Sequence, residues 1–184
     1  MTFPATGIHT DRLLLLPAHP SHACALQAYL LENRDFLKPW EPSRDEAFFE
    51  LTAITERLKT LADKTASGEA LHLLIFSHGT IIGACNFSYI VRGAFQACHL
   101  GYALAESAQG KGLMHEALTA AIAHVFDEMQ LHRIMANYRP ENERSARLLA
   151  RLGFEREGEA RAYLKINGVW TDHVLTALIN PNDI

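Results

Sequence analysis

The stretch Ser107-Ala-Gln-Gly-Lys-Gly-Leu-Met114 joins a β-like segment, His99 to Leu104, to a strongly helical pattern. The apolar residues that follow fall at helical spacing on one face, and they are Leu113, Met114, Ala117, Leu118, Ala121, Ile122, Val125, Phe126 and Met129. Glycine lets the backbone approach a ligand closely, and a helix start offers free N–H donors with a partial positive charge. The stretch therefore predicts a strand-to-helix turn suited to a pyrophosphate.

A strand-to-helix turn also needs glycine when nothing binds there, so a purely structural turn stays open. Two other phosphate motifs are excluded by spacing. A dinucleotide-binding fingerprint requires a third glycine where His115 stands, and a P-loop requires Ser or Thr directly after Gly-Lys, where Gly112 stands.

Length and composition indicate one soluble domain spanning residues 1–184, with 48% hydrophobic and 21% charged residues. A net charge of -4 argues against a direct grip on nucleic acid and favours a cationic partner. Three cysteines without a Cys-x-x-Cys pair, and no signal or membrane segment, predict a cytoplasmic protein. The histidines lack ligand spacing, so we expect no metal.

The predicted element order is β-α-α-β-β-β-α-β-α-β-β, which gives seven strands and four helices. The second helix is predicted from Ser43 to about Ala66, and the preceding prolines predict an irregular segment from Asn33 to Pro42. The dipeptides His78-Gly79 and Asn167-Gly168 predict tight hairpin turns.

This order and two motifs resemble the GNAT superfamily of acetyl-CoA-dependent N-acetyltransferases. The glycine turn is similar to the Gln/Arg-x-x-Gly-x-Gly/Ala signature at Gln109 and Gly112, with Met114 departing from its last small position. Asn142-Glu-Arg-Ser145, followed by Gly153-Phe154, resembles the second half of the cofactor motif. The resemblance implies an α/β fold of the α+β type: a mixed, mostly antiparallel central sheet of about seven strands, flanked by about four helices, with two strands splayed at the acetyl-CoA cleft.

Within this superfamily the chain resembles the RimJ-like ribosomal-protein-alanine N-acetyltransferases. The similarity covers the second half well and the first half loosely, through the segments Asp11-Arg-Leu13, Phe36-Leu-Lys-Pro-Trp40, Gln109–Met114, His132–Tyr138, Leu148–Phe154 and Asp172–Leu178. It implies an enzyme that moves acetyl from acetyl-CoA to the α-amine of the N-terminal alanine of a ribosomal protein, by direct attack of the neutral amine on the thioester.

The chemistry of such an acceptor is easier than that of lysine. An α-amine with a pKa of about 7.7 to 8.0 is roughly a tenth neutral at pH 7, whereas lysine, near 10.4, is neutral in about one molecule in 2,500. The difference of about 2.5 units corresponds to about 3.4 kcal/mol of deprotonation. A water chain to a nearby carboxylate or imidazole is then a sufficient base.

The resemblance also implies roles for individual residues. The backbone N–H of Leu104, or a close neighbour, would face the thioester, Asn142 would hold the pantetheine arm, and Ser145 would lie near the sulfur as proton donor. The backbone of the glycine turn would cradle the pyrophosphate through Gln109, Gly110, Lys111, Gly112, Leu113 and Met114. As alternatives, Asn142 is simply a helix N-cap and Ser145 an exposed first-turn residue.

Departures from the family pattern leave the base unidentified. Leu149 stands where many relatives have a tyrosine acid, Asn137 where some have a glutamate base, and Ala162 where related enzymes have a carboxylate near the last hairpin. Glu116 is the best remaining candidate, although as an alternative it simply favours the positive end of the helix dipole. Weaker candidates are His99, Glu106 and Glu159.

Three aromatic residues, Trp40, Tyr163 and Trp170, are predicted to line the acceptor groove, with burial in the core as the alternative. Two other functions stay open at this point. One is acetylation of a small amine such as an aminoglycoside or a polyamine, and the other is a non-catalytic acetyl-CoA-binding regulatory module. The identity of the acceptor protein and the oligomeric state are not predicted.

Overall fold

The computed structural model describes residues 3–4 and 6–183, and their strands form one eight-stranded sheet. The strands are β1 (Ile8–His9), β2 (Leu14–Pro17), β3 (Leu71–Ser77), β4 (Thr80–Val91), β5 (Ala97–Leu104), β6 (Arg133–Tyr138), β7 (Glu155–Ile166) and β8 (Val169–Ile179). Their order in the sheet is β1-β2-β3-β4-β5-β6-β8-β7. Only β5 and β6 run parallel among these neighbours. The mixed, mostly antiparallel sheet confirms the predicted fold class.

Five α-helices accompany the sheet in the described residues, and they are α1 (Ala23–Glu32), α2 (Arg34–Leu37), α3 (Leu51–Ser67), α4 (Leu113–Asp127) and α5 (Glu143–Arg151). Helix α1 packs against β4, α3 against β3, and α5 against β6. All nine apolar residues predicted for one face of α4 and the residues just after it are buried. The helical periodicity therefore correctly identified the face that enters the core.

The two parallel strands separate along their length. Residues Ala97–Leu100 of β5 pair with Arg133–Ala136 of β6, and no pairing between the two strands continues beyond this point in the described chain. Strand β5 runs on to Leu104 along β4, and β6 runs on to Tyr138 along β8. A wedge therefore opens between residues 101–104 and residues 137–138, which confirms the predicted splay.

The first half of the chain departs from the predicted elements. Helix α3 begins at Leu51 rather than at Ser43, because the Asp45 side chain accepts from Phe48 N at 2.9 Å and closes a separate 3₁₀ turn. Glu50 then adopts an extended conformation (ψ 140°) between that turn and the helix. Side-chain bonding to a nearby backbone N–H is the usual way in which Asp stops a helix from extending backwards.

Two further elements were not predicted. The segment expected to be irregular, Asn33 to Pro42, contains the one-turn helix α2 and a 3₁₀ turn at Lys38–Trp40. Strand β1 has two residues, too few for an alternating pattern to show in the sequence. The sheet therefore has one more strand than expected.

Both predicted hairpin turns are confirmed. His78 and Gly79 have φ of 49° and 79°, and Asn167 and Gly168 have φ of 44° and 82°, as the favoured two-residue hairpin turns require. Strand β7 extends to Ile166, far beyond the predicted Phe154 to Gly158. It lies at the sheet edge and is mostly exposed, so it lacks the apolar alternation by which a strand is recognised.

Candidate active site

The glycine loop, residues 109–112, lies at the open end of the wedge. Gly110 and Gly112 have φ of 73° and 75°, the left-handed conformation that glycine adopts without strain. Helix α4 begins directly after Gly112, and the side chains of Leu113 and Met114 turn into the core. Because the first turn of a helix has no intrahelical acceptor for its N–H groups, the loop presents backbone donors suited to an anion.

Two polar side chains of the loop are bound to nearby backbone. Gln109 Nε2 donates to the carbonyl oxygen of Leu104 at 3.0 Å, and Lys111 Nζ donates to that of Ser107 at 2.8 Å. Gln109 thus ties the loop to the last residue of β5. The backbone, rather than the Gln109 side chain, is left to contact a ligand.

The backbone of Leu104 faces the wedge. The N–H of Ala105 donates to Ile82 O on β4 at 2.7 Å, and the carbonyl oxygen of Ala103 also faces β4, 2.5 Å from where a Cβ at Gly83 would lie. Since peptide groups alternate in direction along a strand, the N–H of Leu104 points away from β4, towards β6. By the same alternation the N–H of Tyr102 points the same way. Both lie beyond the last β5–β6 pair.

The start of α5 brings Asn142 and Ser145 together. Asn142 Oδ1 accepts from the backbone N of Ser145 at 3.1 Å, so Asn142 is the N-cap of the helix. This contact fits the structural alternative for Asn142 and leaves its amide nitrogen for another partner. The role of Asn142 towards pantetheine stays a prediction, as does the role of Ser145 towards the sulfur.

Tyr102 is a candidate functional residue that sequence reasoning missed. Its hydroxyl is buried beside the Ser145 side chain, without a hydrogen bond of good geometry to any described residue. Burial raises the pKa of Tyr102 to about 12. The nearby Ser145 hydroxyl lowers this pKa by a smaller amount, and Tyr138 raises it slightly. At neutral pH this phenol stays protonated and can donate a hydrogen bond, but its raised pKa makes it a weak acid. The residue alternates with Leu100 and Leu104, so in sequence it resembles an ordinary core position.

Gly101 was missed as well, although the sequence carried a signal for it. It lies inside β5, directly after the last residue paired with β6, and it is exposed. A Cβ built there would meet no atom of the described residues within 4 Å. Glycine inside a strand weakens it and often marks the close approach of a ligand. Its φ is not positive and no described residue packs against it, so neither a turn nor close packing accounts for this glycine.

Glu116, the predicted base, is hydrogen-bonded to two residues near the N-terminus, Thr10 and Arg12. Its Oε1 accepts from Thr10 Oγ1 at 2.6 Å and Arg12 N at 2.9 Å, and its Oε2 accepts from Arg12 Nε at 2.7 Å. Desolvation opposes ionisation of this carboxyl, but the hydrogen bonds from Thr10 and Arg12 outweigh it and lower the pKa of Glu116. A carboxylate with both oxygens bound and a lowered pKa is a poor base. These contacts favour a structural role.

Of the weaker base candidates, His99 has the most suitable position. It lies two residues before Gly101 on the same side of β5, and its ring packs edge-on against Tyr89 at 6.0 Å. Burial lowers the pKa of His99, so its imidazole is neutral and able to accept a proton at pH 7. Glu106 is exposed, and Glu159 is bound to Arg156 at 2.5 Å.

Two of the three predicted acceptor-groove aromatics lie at the end of β6. Tyr163 is half-buried, with its hydroxyl 3.4 Å from Asn137 Nδ2 on β6. The ring of Trp40 lies 5.7 Å from the guanidinium of Arg139, directly after β6. Trp40 and Trp170 are 39% and 61% exposed, so burial in the core does not account for them.

The backbone around Tyr163 is irregular. Between Ala160 and Leu164, β7 carries two more residues than the facing part of β8. Ala162 has φ of 49°, and its N–H donates to Asp172 Oδ1 at 2.8 Å. Non-glycine residues in this conformation cost about 1–2 kcal/mol. The bulge lies where Tyr163 of β7 reaches Asn137 on β6.

No group of three or more His, Cys, Asp or Glu side chains that could hold a metal is found in residues 3–4 and 6–183. Within the same residues, no helix is both long and apolar enough to cross a membrane.

A splayed β5–β6 pair followed by a glycine loop and a helix defines an acetyltransferase of the GNAT type. Residues 12–155 match the family model of the acetyltransferase (GNAT) domain. The chain therefore belongs to the GNAT family of N-acetyltransferases.

Individual relatives are similar over almost the whole chain. The [ribosomal protein uS5]-alanine N-acetyltransferase of Escherichia coli (strain K12) is 50% identical over 97% of this chain and 93% of its own. The crystal structure of the ribosomal-protein-S5-alanine acetyltransferase of Vibrio fischeri has a TM-score of 0.91 and 40% identity, covering 95% of this chain and 96% of that one. RimJ of Mycobacterium smegmatis, solved with CoA-disulfide, has a TM-score of 0.88 and 32% identity, covering 93% and 83%.

Proposed function

We propose that this protein transfers acetyl from acetyl-CoA to the α-amine of an N-terminal alanine of a ribosomal protein. The observation that carries the proposal is the wedge between β5 and β6, which opens beside the glycine loop and has backbone N–H groups along one side. The names of the E. coli and V. fischeri relatives, and their similarity over nearly the full chain, support the acceptor.

Each part of the wedge has a separate task in this reaction. The glycine loop and the start of α4 would bind the diphosphate through backbone N–H groups. Acetyl-CoA would supply the thioester: the amine attacks its carbonyl carbon, and its thiolate is the leaving group. The N–H groups of Tyr102 and Leu104 would then donate to the carbonyl oxygen as it gains negative charge.

The proton balance requires one acceptor and one donor. As the C–N bond forms and the C–S bond breaks, the amine loses a proton and the thiolate gains one. Ser145, at the start of α5, lies beside Tyr102, in the part of β5 that no longer pairs with β6. Either hydroxyl could protonate the sulfur. His99, neutral at pH 7 and on the face of Gly101, is the side chain best placed to accept the amine proton through water.

Ser145→Ala is expected to lower kcat about tenfold and to leave the Kd for acetyl-CoA within about threefold, because proton donation is needed only as the sulfur leaves. Rapid-quench turnover and calorimetric titration measure the two quantities. The N-cap bond uses the backbone N of Ser145, so the helix start should remain intact.

Tyr102→Phe is the companion variant for this test, since it removes the neighbouring hydroxyl and keeps the ring in the core. If the two hydroxyls share the task, the double variant should lose more than either single one. A Ser145→Ala enzyme with an unaltered rate, singly and in the Tyr102→Phe background, would refute the assignment of Ser145 as donor.

The proposed acceptor is tested by thiol release with a panel of amines. We expect a peptide that begins with alanine, taken from a ribosomal protein, to react at least about a hundredfold faster than the same peptide with a blocked terminus and an internal lysine. The lower proton affinity of the α-amine, worth about 3.4 kcal/mol or roughly 300-fold, is enough for that preference. Polyamines and aminoglycosides belong in the same panel.

The outcomes separate the alternatives. Preference for the internal lysine would overturn the N-terminal acceptor, and preference for a polyamine or aminoglycoside would favour a small-molecule acetyltransferase. Acetyl-CoA binding without thiol release on any amine would favour the regulatory module.

A further inference from the structure

Arg12 connects the N-terminal part of the chain to the glycine loop and to α4. It lies in the connection between β1 and β2, and its Nη1 donates to Lys111 O at 2.9 Å. Its Nε and Nη2 reach Glu116 Oε2 at 2.7 and 2.6 Å, and its backbone N donates to Oε1. We call Thr10, Arg12 and Glu116 the clamp.

The clamp lies against the part of the loop that would receive the diphosphate. Arg12 Nη2 is 3.7 Å from the position that a Cβ on Gly112 would occupy, and Nη1 binds the preceding carbonyl. Gly112 is the N-cap of α4, and Glu116 lies one turn into that helix. Both charges of the clamp therefore lie at the first turn of α4, Glu116 in it and Arg12 beside it, where a helix interacts most strongly with ions.

The two charges differ in their access to solvent. The Glu116 side chain is 18% exposed, whereas the Arg12 side chain is 49% exposed. Because the pKa of Glu116 is lowered, its carboxylate is ionised at neutral pH. With Arg12 in place the pair is neutral. Without Arg12, a poorly solvated negative charge would remain beside an anion-binding loop.

We infer that Arg12 is a positioning residue for the cofactor, which chiefly neutralises Glu116 so that a diphosphate can bind and, to a smaller extent, holds the glycine loop through Lys111 O. The inference rests on the proposed function, since it requires that the loop binds the diphosphate of CoA. It also gives a role to the segment Asp11-Arg-Leu13, which resembles the family in sequence but to which the sequence alone assigned no function.

This inference predicts an asymmetry between the two members of the ion pair. Arg12→Ala should weaken CoA binding about tenfold, because it leaves the Glu116 charge uncompensated and frees the loop carbonyl. Glu116→Gln should bind CoA at least as tightly as the wild type, because Arg12 then faces the diphosphate alone. The double variant Arg12→Ala/Glu116→Gln should recover to within about threefold of the wild type.

Calorimetric titration of the full-length variants with CoA measures these effects, at about 0.02 M and about 0.5 M salt. The Arg12→Ala defect should shrink at high salt, where the Debye screening length falls to about 4 Å. Arg12→Lys, which keeps the charge without the fork, should bind within about threefold of the wild type. A loop that was merely loosened would show neither the salt dependence nor the rescue by Glu116→Gln.

Arg34→Ala is the matched control, since Arg34 forms a comparable two-bond pair with Glu46 far from the loop in sequence. It should leave the Kd for CoA unchanged, and thermal melting of every variant reports on folding. A wild type that does not bind CoA would overturn the proposed function. Normal wild-type binding, with Arg12→Ala unchanged or the double variant as weak as Arg12→Ala, would overturn the role of Arg12 alone.

Discussion

Gly112→Asp is expected to weaken CoA binding by about a hundredfold or more. The substitution places a carboxylate at the N-cap of α4, beside the proposed diphosphate, where the loop offers backbone N–H groups. Two like charges about 4 Å apart near a protein surface repel by about 4 kcal/mol, which is on the order of a thousandfold in affinity. Titration with CoA at low salt measures the loss.

Two controls separate charge from backbone strain. Gly112→Asn imposes a similar cost in the left-handed conformation, which Asn tolerates, but adds no charge. Gly68→Asp adds the same side chain at almost the same φ, 76° against 75°, at the end of α3. Both should retain most of the CoA affinity. Unchanged affinity in Gly112→Asp would remove the glycine loop from the cofactor site.

Gly101→Val is expected to lower kcat/KM for the acceptor peptide at least about a hundredfold without loss of stability. The new side chain would project from β5 on the face that carries His99, where a Cβ meets no atom of residues 3–4 and 6–183 within 4 Å. There it would displace the amine, and small misplacements of a reacting group cost on the order of a hundredfold. Valine also suits a strand better than glycine, so the melting temperature should be equal or higher.

The measurement combines peptide kinetics, CoA titration and thermal melting. The Kd for CoA should change by no more than about threefold, because the glycine loop is untouched. Gly158→Val on the edge strand β7 is the matched control, since a Cβ there also meets no atom within 4 Å. Full activity of Gly101→Val would show that the acceptor does not approach through this part of the wedge.

Local sequence patterns predicted the elements from β3 onwards well, apart from the length of β7. The α4 face and both hairpin turns follow from periodicity and from residues that favour a positive φ. These signals act within one element, so no knowledge of the rest of the fold is needed. The chain before β3 was predicted less well, because Asp45 closes its own turn and shifts the start of α3.

The site shows the same division. The glycine loop was predicted from its own residues, and the family resemblance supplied the splay of β5 from β6 that the strand pairing confirms. The role of Glu116 was not accessible in this way, since its partners Thr10 and Arg12 lie 106 and 104 positions away. Tyr102 resembles an ordinary core residue until Ser145 is placed beside it.

By itself the sequence determined the strand, the glycine turn and the amphipathic helix of this acetyltransferase, because each depends on residues that are neighbours in the chain. The tertiary structure alone decided which side chains face the wedge, and it bound Glu116 to Arg12. The physical reason is that the hydrogen bonding and desolvation of a side chain depend on groups that packing brings close. These groups are distant in sequence, so a local sequence pattern cannot identify them.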